Sequence, residues 1–257
     1  MTGPLIFTPE YYRRMRELES DGWWNAAMRD VAAMLLRDAE LPDTGTMLDV
    51  GCGSGQTMTW FSTLRPDWRT VGLDVAWDGL VAARQLGVDV FQGSALSIPY
   101  PNRSLDLVIT LDVMQHLPLD GGDVRALLEM RRVLRPGGYL LVRTNAQAFP
   151  RIPDDAEYNF HKYDTDELRE KMEEAGLEVV RLSKLNALLG LAEIPRELRA
   201  AKEHGETNYR GILATVGQRE NRVARALKRS WVRLEGRVMK AGLPLPLGRT
   251  IFALCRA

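Results

Sequence analysis

Met47-Leu48-Asp49-Val50-Gly51-Cys52-Gly53-Ser54-Gly55 carries an apolar strand pattern straight into a glycine-rich turn, and a helical pattern follows. Glycines let the backbone turn sharply there and approach a ligand closely. Asp74 closes the next strand pattern, Val71-Gly72-Leu73-Asp74, nineteen residues beyond Gly55. A carboxylate at that point accepts hydrogen bonds from both hydroxyls of a ribose; its plainer reading is a cap on the next helix. The glycine loop at the right distance favours the ligand. An adenosine-containing molecule is therefore expected at the carboxyl ends of the strands. Dinucleotide folds use G-x-G-x-x-G to seat a pyrophosphate, whereas here the spacing is G-x-G-x-G and Gln56 follows. Asp49, just ahead of the loop, would repel a pyrophosphate and suits a ligand that carries an ammonium group.

Working outward, residues 46–188 alternate strand and helix. Strand patterns lie at Thr46–Val50, Thr70–Val75, Val88–Gln92, Leu105–Thr110, Tyr139–Thr144 and Leu177–Leu182. Gly87, Gly137-Gly138 and Gly176 each follow a helical pattern, where a left-handed cap wants glycine. Asp164 with Glu167 reads as a capping box ahead of Leu168–Ala175. Alternating units with near-continuous apolar strands predict an α/β fold with a parallel sheet covered on both faces. Residues 1–45 read as a helical cap. Thr8-Pro9 opens a helix there, and Trp24, Met28, Val31 and Leu35 share one face of another. Residues 189–247 break the alternation and read as a helical insertion, a lid. Residues 248–257 hold a last strand, Thr250–Cys255, placed to pair with Leu177–Leu182. The whole, 1–257, reads as a single domain.

Asp49-Val-Gly-Cys-Gly-Ser-Gly55 resembles the first motif of class I S-adenosylmethionine methyltransferases. Gly93-Ser-Ala-Leu-Ser-Ile-Pro-Tyr100 resembles that family's adenine-binding stretch. Asp106-Leu-Val-Ile-Thr-Leu-Asp-Val-Met-Gln-His116-Leu resembles its fourth strand and the histidine after it, and Arg132-Val-Leu-Arg-Pro-Gly-Gly-Tyr-Leu-Leu-Val142 its helix, turn and fifth strand. The four stand in the family's order across residues 46–185. The resemblance, to the small-molecule, methyltransferase-11-like type, implies a Rossmann-like sheet of seven strands, mostly parallel, with an antiparallel last strand. It implies S-adenosyl-L-methionine as cofactor, held by Asp49, Gly51, Cys52, Gly53 and Gln56 around the loop and by Asp74 and Val75 on the ribose side. Ser94 and Ala95 would sit at the adenine, with Ser94 where the family usually has aspartate; a hydroxyl accepts the adenine amino group more weakly. Leu111, Asp112, Val113 and His116 would line the cofactor after the fourth strand. Leu18-Glu-Ser-Asp-Gly-Trp23-Trp24 resembles a paired-aromatic element of a branch that acts on small molecules or sugar-linked intermediates, with Gly22 where that branch usually has histidine. It would bring Trp23 to the pocket, leave Trp24 in the core, and set Arg29 near the cofactor carboxylate.

A plainer reading stands beside each of these. Asp112 also fits a structural turn, and Arg29 an exposed helix arginine. His116 is a candidate general base for O- or N-methyl transfer, its ordinary pKa lying near about 6.5, and equally a histidine packed in the cofactor pocket. His161, in Tyr158-Asn-Phe-His161-Lys-Tyr163, is a second candidate base, since in the family that loop faces the substrate. His204 reads as solvated. Residues 219–240 hold eight Lys/Arg and two Asp/Glu around an apolar stripe of Val223, Leu227, Trp231, Leu234 and Val238. Such a helix can dock on a membrane surface; the expectation is a helix packed on the domain with a solvated basic face.

Lys+Arg and Asp+Glu are both 34, so the formal net charge is zero and nothing pulls the whole chain towards nucleic acid. No (Asp/Asn)-Pro-Pro-aromatic motif stands at Leu111-Asp112-Val113-Met114, as enzymes acting on exocyclic base amines usually have, and neither cysteine adjoins a proline. Cys52 and Cys255 read as buried thiols suited to a reducing compartment. Three histidines without a second ligand pattern predict no metal. Met1 to Tyr12 lacks a basic start followed by an apolar run, and no stretch approaches a membrane span. The expected protein is cytoplasmic. It would methylate a small, partly hydrophobic acceptor, as in natural-product or sugar-conjugate tailoring, with no nucleic-acid partner. The alternative is a cofactor-binding protein of this fold that catalyses another reaction or regulates; a nicotinamide oxidoreductase is disfavoured by Asp49.

Overall fold

The computed structural model describes residues 22–147, 161–187 and 221–257. The Thr8-Pro9 helix start, most of the paired-aromatic element, His204 and the first part of the expected insertion lie outside these residues. Helix α1 (Trp23–Leu36) leads into β1 (Thr46–Val50), α2 (Gln56–Leu64), β2 (Arg69–Asp74), α3 (Trp77–Arg84), β3 (Asp89–Gln92) and β4 (Leu105–Leu111). A 3-10 turn (Met114–His116), α4 (Gly122–Val133), β5 (Leu134–Asn145), α5 (Thr165–Glu174), β6 (Glu178–Leu185), α6 (Arg222–Lys240) and β7 (Thr250–Arg256) follow. The strands form one sheet in the order β3-β2-β1-β4-β5-β7-β6. The first five pair in parallel, and β7 runs antiparallel between β5 and β6. This is the Rossmann-like sheet that the sequence implied.

Residues of period two divide the core. Leu48, Val108 and Leu140 face α4 and α5, meeting Leu127, Met130, Leu168 and Met172. Their neighbours Met47, Leu107 and Leu141 face the other way, towards Met28, Val31 and Leu35 of α1, Phe61 of α2, Leu80 of α3, and Val232 and Met239 of α6. Both faces of the central strands are thus covered, which is why they read as unbroken apolar runs. Strand order reverses between β1 and β4, so their carboxyl ends open a crevice at the switch point.

Three local expectations are corrected. Gly137 has a positive φ of 80° but does not cap a helix. Strand β5 begins at Leu134, directly after α4, and Gly137 sits at an irregularity of that strand, donating its N–H to the Ala257 carbonyl at 2.7 Å. The capping box before α5 does not form. Asp164 makes no cap bond and accepts from Lys184 Nζ at 3.3 Å, while Glu167 turns to His161. Helix α6 packs on the domain through a face other than the expected stripe. Val232, Gly236 and Met239 are buried, whereas Val223, Leu227, Trp231 and Leu234 are exposed. Gly87 and Gly176 do take the positive φ expected of them.

Gly248 shows how tightly β7 is fitted beside β6. Its φ is 152°, and a Cβ there would lie 2.2 Å from the Leu185 carbonyl oxygen. Gly248→Ala is expected to lower the unfolding free energy by about 2 kcal/mol or more, read as the shift of a urea denaturation midpoint.

Candidate functional site

The glycine loop is held from beneath by one carbonyl. Leu73 O accepts from Gly51 N at 2.7 Å and Cys52 N at 3.0 Å, tying the end of β1 to the end of β2. Gly51 has φ 78°, and a Cβ there would lie 2.1 Å from Val113 Cγ2, so only glycine lets that side chain close over the loop. Gly53 N donates to Asp74 Oδ2 at 2.8 Å and Ala76 N to Asp74 Oδ1 at 2.8 Å. Asp74 thus binds the residue ahead of α3 and not a first-turn N–H of that helix, and its carboxylate keeps capacity to accept from a ligand hydroxyl. Burial raises the Asp74 pKa, against the backbone N–H groups of Ala76, Gly53 and Val75, which lower it. Asp49 is buried in β1, between Gly72 and Ile109 of the neighbouring strands. Cys52 is buried as well. Desolvation, reinforced by the Asp49 and Asp74 carboxylates, pushes its thiol far up, which makes it inert as a nucleophile.

Val75, beside Asp74, is 58% exposed, an apolar platform at the mouth of the crevice. The Ser94–Tyr100 stretch follows β3, just after Gly93, whose N–H donates to the Asp74 carbonyl at 3.0 Å. Ser94 Oγ accepts from Leu96 N at 3.2 Å and the Ser94 carbonyl from Ser97 N at 3.1 Å, so the serine shapes its own turn; Ala95 is buried beneath. The stretch is clamped from α4. Arg132 donates to the carbonyls of Ile98 at 2.8 Å and Tyr100 at 2.9 Å, and Glu129 accepts from Ile98 N at 2.8 Å. The hydrogen bonds of Arg132 hold the Glu129 carboxyl below its ordinary range.

Beyond Leu111, at the end of β4, Asp112 adopts a left-handed φ of 60°. Its carboxylate is gripped by Arg143 of β5, with Nε 3.0 Å from Oδ1 and Nη2 bonded to Oδ2. The 3-10 turn then sets His116, whose imidazole is held below its ordinary pKa by burial; the Asp112 charge opposes that shift. His161 is drawn to the same turn. Its N–H donates to the Gln115 carbonyl at 2.9 Å, its ring meets Tyr163 edge-on at 4.2 Å, and Nε2 lies 2.8 Å from Glu167 Oε1. The Tyr163 hydroxyl lies 3.1 Å from the Met114 carbonyl and 3.2 Å from Asp123 Oδ2, sharing its one proton between them.

The structure thus brings together the loop, Asp74, Val75, Val113 and His116, and links His161 to them through Gln115. Gln56 opens α2 directly behind the loop. Trp23 packs edge-to-face with Trp24 beneath Lys228 of α6, whose Nζ is 5.4 Å from its ring. Arg29 is half-buried on α1. Sequence reading missed Arg143, although a lone charge at the end of the apolar run Tyr139–Val142 was a signal, and it missed the Arg132–Glu129 clamp. The donor set fits S-adenosylmethionine. Two buried carboxylates, Asp49 and Asp74, flank the loop, which complements a ligand with two cationic centres, and the exposed apolar side chain of Val75 stands beside Asp74. Among the described residues no group of three or more metal-ligating side chains assembles, and no helix is long and apolar enough to cross a membrane.

Residues 48–142 match the family described as "Methyltransferase domain". The chain is 30% identical over 200 residues to a fatty-acid O-methyltransferase of Mycolicibacterium smegmatis, an alignment covering 76% of this chain and 61% of that protein. It is 30% identical over 112 residues to the tRNA (carboxymethyluridine(34)-5-O)-methyltransferase of Arabidopsis thaliana, covering 44% and 26%. The chain therefore spans less than two thirds of either relative's length. Among solved structures, phosphoethanolamine N-methyltransferase 2 of Haemonchus contortus, in complex with S-adenosyl-L-methionine, superposes with a TM-score of 0.64 at 15% identity, over 97% of this chain and 57% of that one. That likeness is one of fold.

The Arg143–Asp112 grip holds a non-glycine residue in a left-handed conformation that costs about 1 kcal/mol. Arg143→Met is expected to lower stability by about 1–2 kcal/mol, the value reduced because the Asp112 carboxylate is partly solvated. Asp112→Gly, which removes both the strain and the charge left behind, is expected to recover much of that loss in the double variant, measured by denaturant titration of the four-member cycle.

Proposed function

Because residues 48–142 carry a class I, S-adenosylmethionine-dependent methyltransferase domain, we propose that this protein transfers the cofactor's methyl group to an oxygen or nitrogen of a small, partly apolar acceptor. The observation that carries the reading is the glycine loop between Asp49 and Asp74 with the Val113–His116 turn closed against it. Bound there, S-adenosylmethionine supplies a methyl carbon that is already electrophilic, so the protein has to align, exclude water and handle one proton. Asp74 binds the ribose hydroxyls, Val75 packs on the adenine, and Asp49 lies on the side of the ammonium group. The acceptor's lone pair would take up that methyl group, leaving the sulfur neutral, and the protein's own residues do the rest. His116 takes the acceptor's proton where there is one, since burial keeps its imidazole neutral and able to accept. His161, whose Nε2 lies 2.8 Å from Glu167 Oε1, is the second candidate base.

A small acceptor is supported by the extent of the two likenesses. The match to the fatty-acid enzyme runs over 200 residues and that to the tRNA enzyme over 112. The chain as a whole also carries no net charge, so no general attraction to a polyanion operates.

Calorimetric titration with S-adenosylhomocysteine, beside NAD, tests the cofactor. Tight binding of the former alone is expected, weakened at least about tenfold in Asp74→Ala through loss of two charged hydrogen bonds. Affinity is expected to fall on acidification from a pH above the ordinary carboxylate value of 3.8, because protonation of Asp74 removes the acceptor and its pKa is raised. NAD preference would sink the reading. A labelled-methyl assay with fatty acids, small amines and bulk tRNA tests the acceptor, and label in tRNA alone would overturn its small-molecule part.

His116→Asn is expected to lower kcat about 100-fold on a protonated acceptor with little change in S-adenosylhomocysteine affinity. The wild-type rate should rise through a pKa below 6.5 and then level, since that pKa is lowered by burial. An unchanged rate would leave His116 a packing role.

A further inference from the structure

We propose that α6 is a membrane-docking element, laying its exposed apolar stripe into the surface of an anionic phospholipid bilayer. Val223, Leu227 and Leu234 are 63%, 66% and 48% exposed, and Trp231 is 40% exposed. At intervals of four, four and three residues they form a single row, about 17 Å long at the helical rise. Leu243 prolongs it. Beyond Gly242, with φ 82°, the chain turns back and Leu243 N donates to the Val238 carbonyl at 3.2 Å, which sets the exposed Leu243 at the end of the stripe.

The stripe cannot be rolled inward, because the opposite side of the helix is locked. A Cβ at Gly236 would lie 2.9 Å from Val31 Cγ2 and 3.0 Å from Met34 Cε, so α6 and α1 touch almost backbone to side chain there. Arg229 grips Asp30 with both Nε, at 2.7 Å, and Nη2, at 3.0 Å. Lys240 pairs with Asp38 at 2.9 Å. Glu235, the one acid of α6, is buried, where it accepts from the backbone N–H groups of Asn186 and Ala187 and from Trp231 Nε1 at 2.6 Å. That last bond turns the indole nitrogen inward and leaves the apolar edge of the ring on the stripe.

Charge decides the occupant. Helix α6 carries seven Lys/Arg, and its one carboxylate faces inward. Arg222, Arg233 and Arg237 are exposed, and their helical positions border the stripe on one side, with Lys228 on the other. A shallow apolar layer beneath a negative surface complements this pattern. Apolar side chains enter the acyl boundary while arginines reach the headgroup phosphates. The chain as a whole has no net charge, so the attraction is confined to this face.

Flotation of the full chain with vesicles tests the proposal without any dependence on methyl transfer. Binding is expected to vesicles of equal parts phosphatidylcholine and phosphatidylglycerol, to be weak on phosphatidylcholine alone, and to fall with salt. The Leu227→Glu/Leu234→Glu variant is expected to lose at least about tenfold in partitioning, and Arg222→Gln or Arg237→Gln about fivefold each, with melting temperatures unchanged. Three results would overturn it. One is absence of vesicle binding, or binding indifferent to these substitutions. Another is a concentration-dependent dimer abolished by the glutamate pair, which would give the face to a second copy. The third is a marked loss of melting temperature in that pair, which would show the stripe to be covered by the chain itself.

Discussion

One carbonyl oxygen, that of Leu73, organises the site. It accepts from both Gly51 and Cys52, so the chain leaves β1 by turning over the end of β2 instead of running on. Two buried donors share it, and leaving either without a partner would cost about 1–3 kcal/mol. With the turn fixed, Gly53 reaches Asp74, and the space left by the absent Gly51 side chain is taken by Val113. Val113 in turn fixes the 3-10 turn that carries His116, and the Gln115 carbonyl of that turn captures His161. A chain of short contacts thus runs from the middle of the sheet to both candidate bases.

The electrostatics follow from the same compression. Asp49 and Asp74 are buried close enough to the loop to push the Cys52 thiol up together, and the ion pairs of the site lie farther out, at Arg143 and Arg132. A site so built rewards a cationic ligand and makes the thiol beside it useless for attack, which separates it from dinucleotide sites of similar topology.

The parts legible in the sequence were those set by neighbours along the chain. The loop and Asp74 could be read because a strand, a turn and the next strand end lie within thirty residues, and β1 and β4 because both faces are buried. What stayed hidden depends on distant partners. A glycine with positive φ looks alike as a helix cap and within a strand irregularity, so Gly137 was misassigned until its partner, Ala257, was in view. Asp164 and Glu167 have the spacing of a capping box, yet Lys184 and His161 compete successfully for them. In α6 the stripe was visible, but its direction was not. Periodicity finds an apolar face, whereas Gly236 and the Asp30–Arg229 pair decide which way the helix is turned.

The position of β7 bears on synthesis. It occupies the slot between β5 and β6, yet Thr250 follows Leu185 by 65 residues. At translation rates of about 5–20 residues per second, β5 and β6 emerge several seconds before the strand that joins them. During that interval the nascent chain presents one unpaired edge of β5 and a β6 with no sheet to enter, a template for misplaced pairing until β7 arrives.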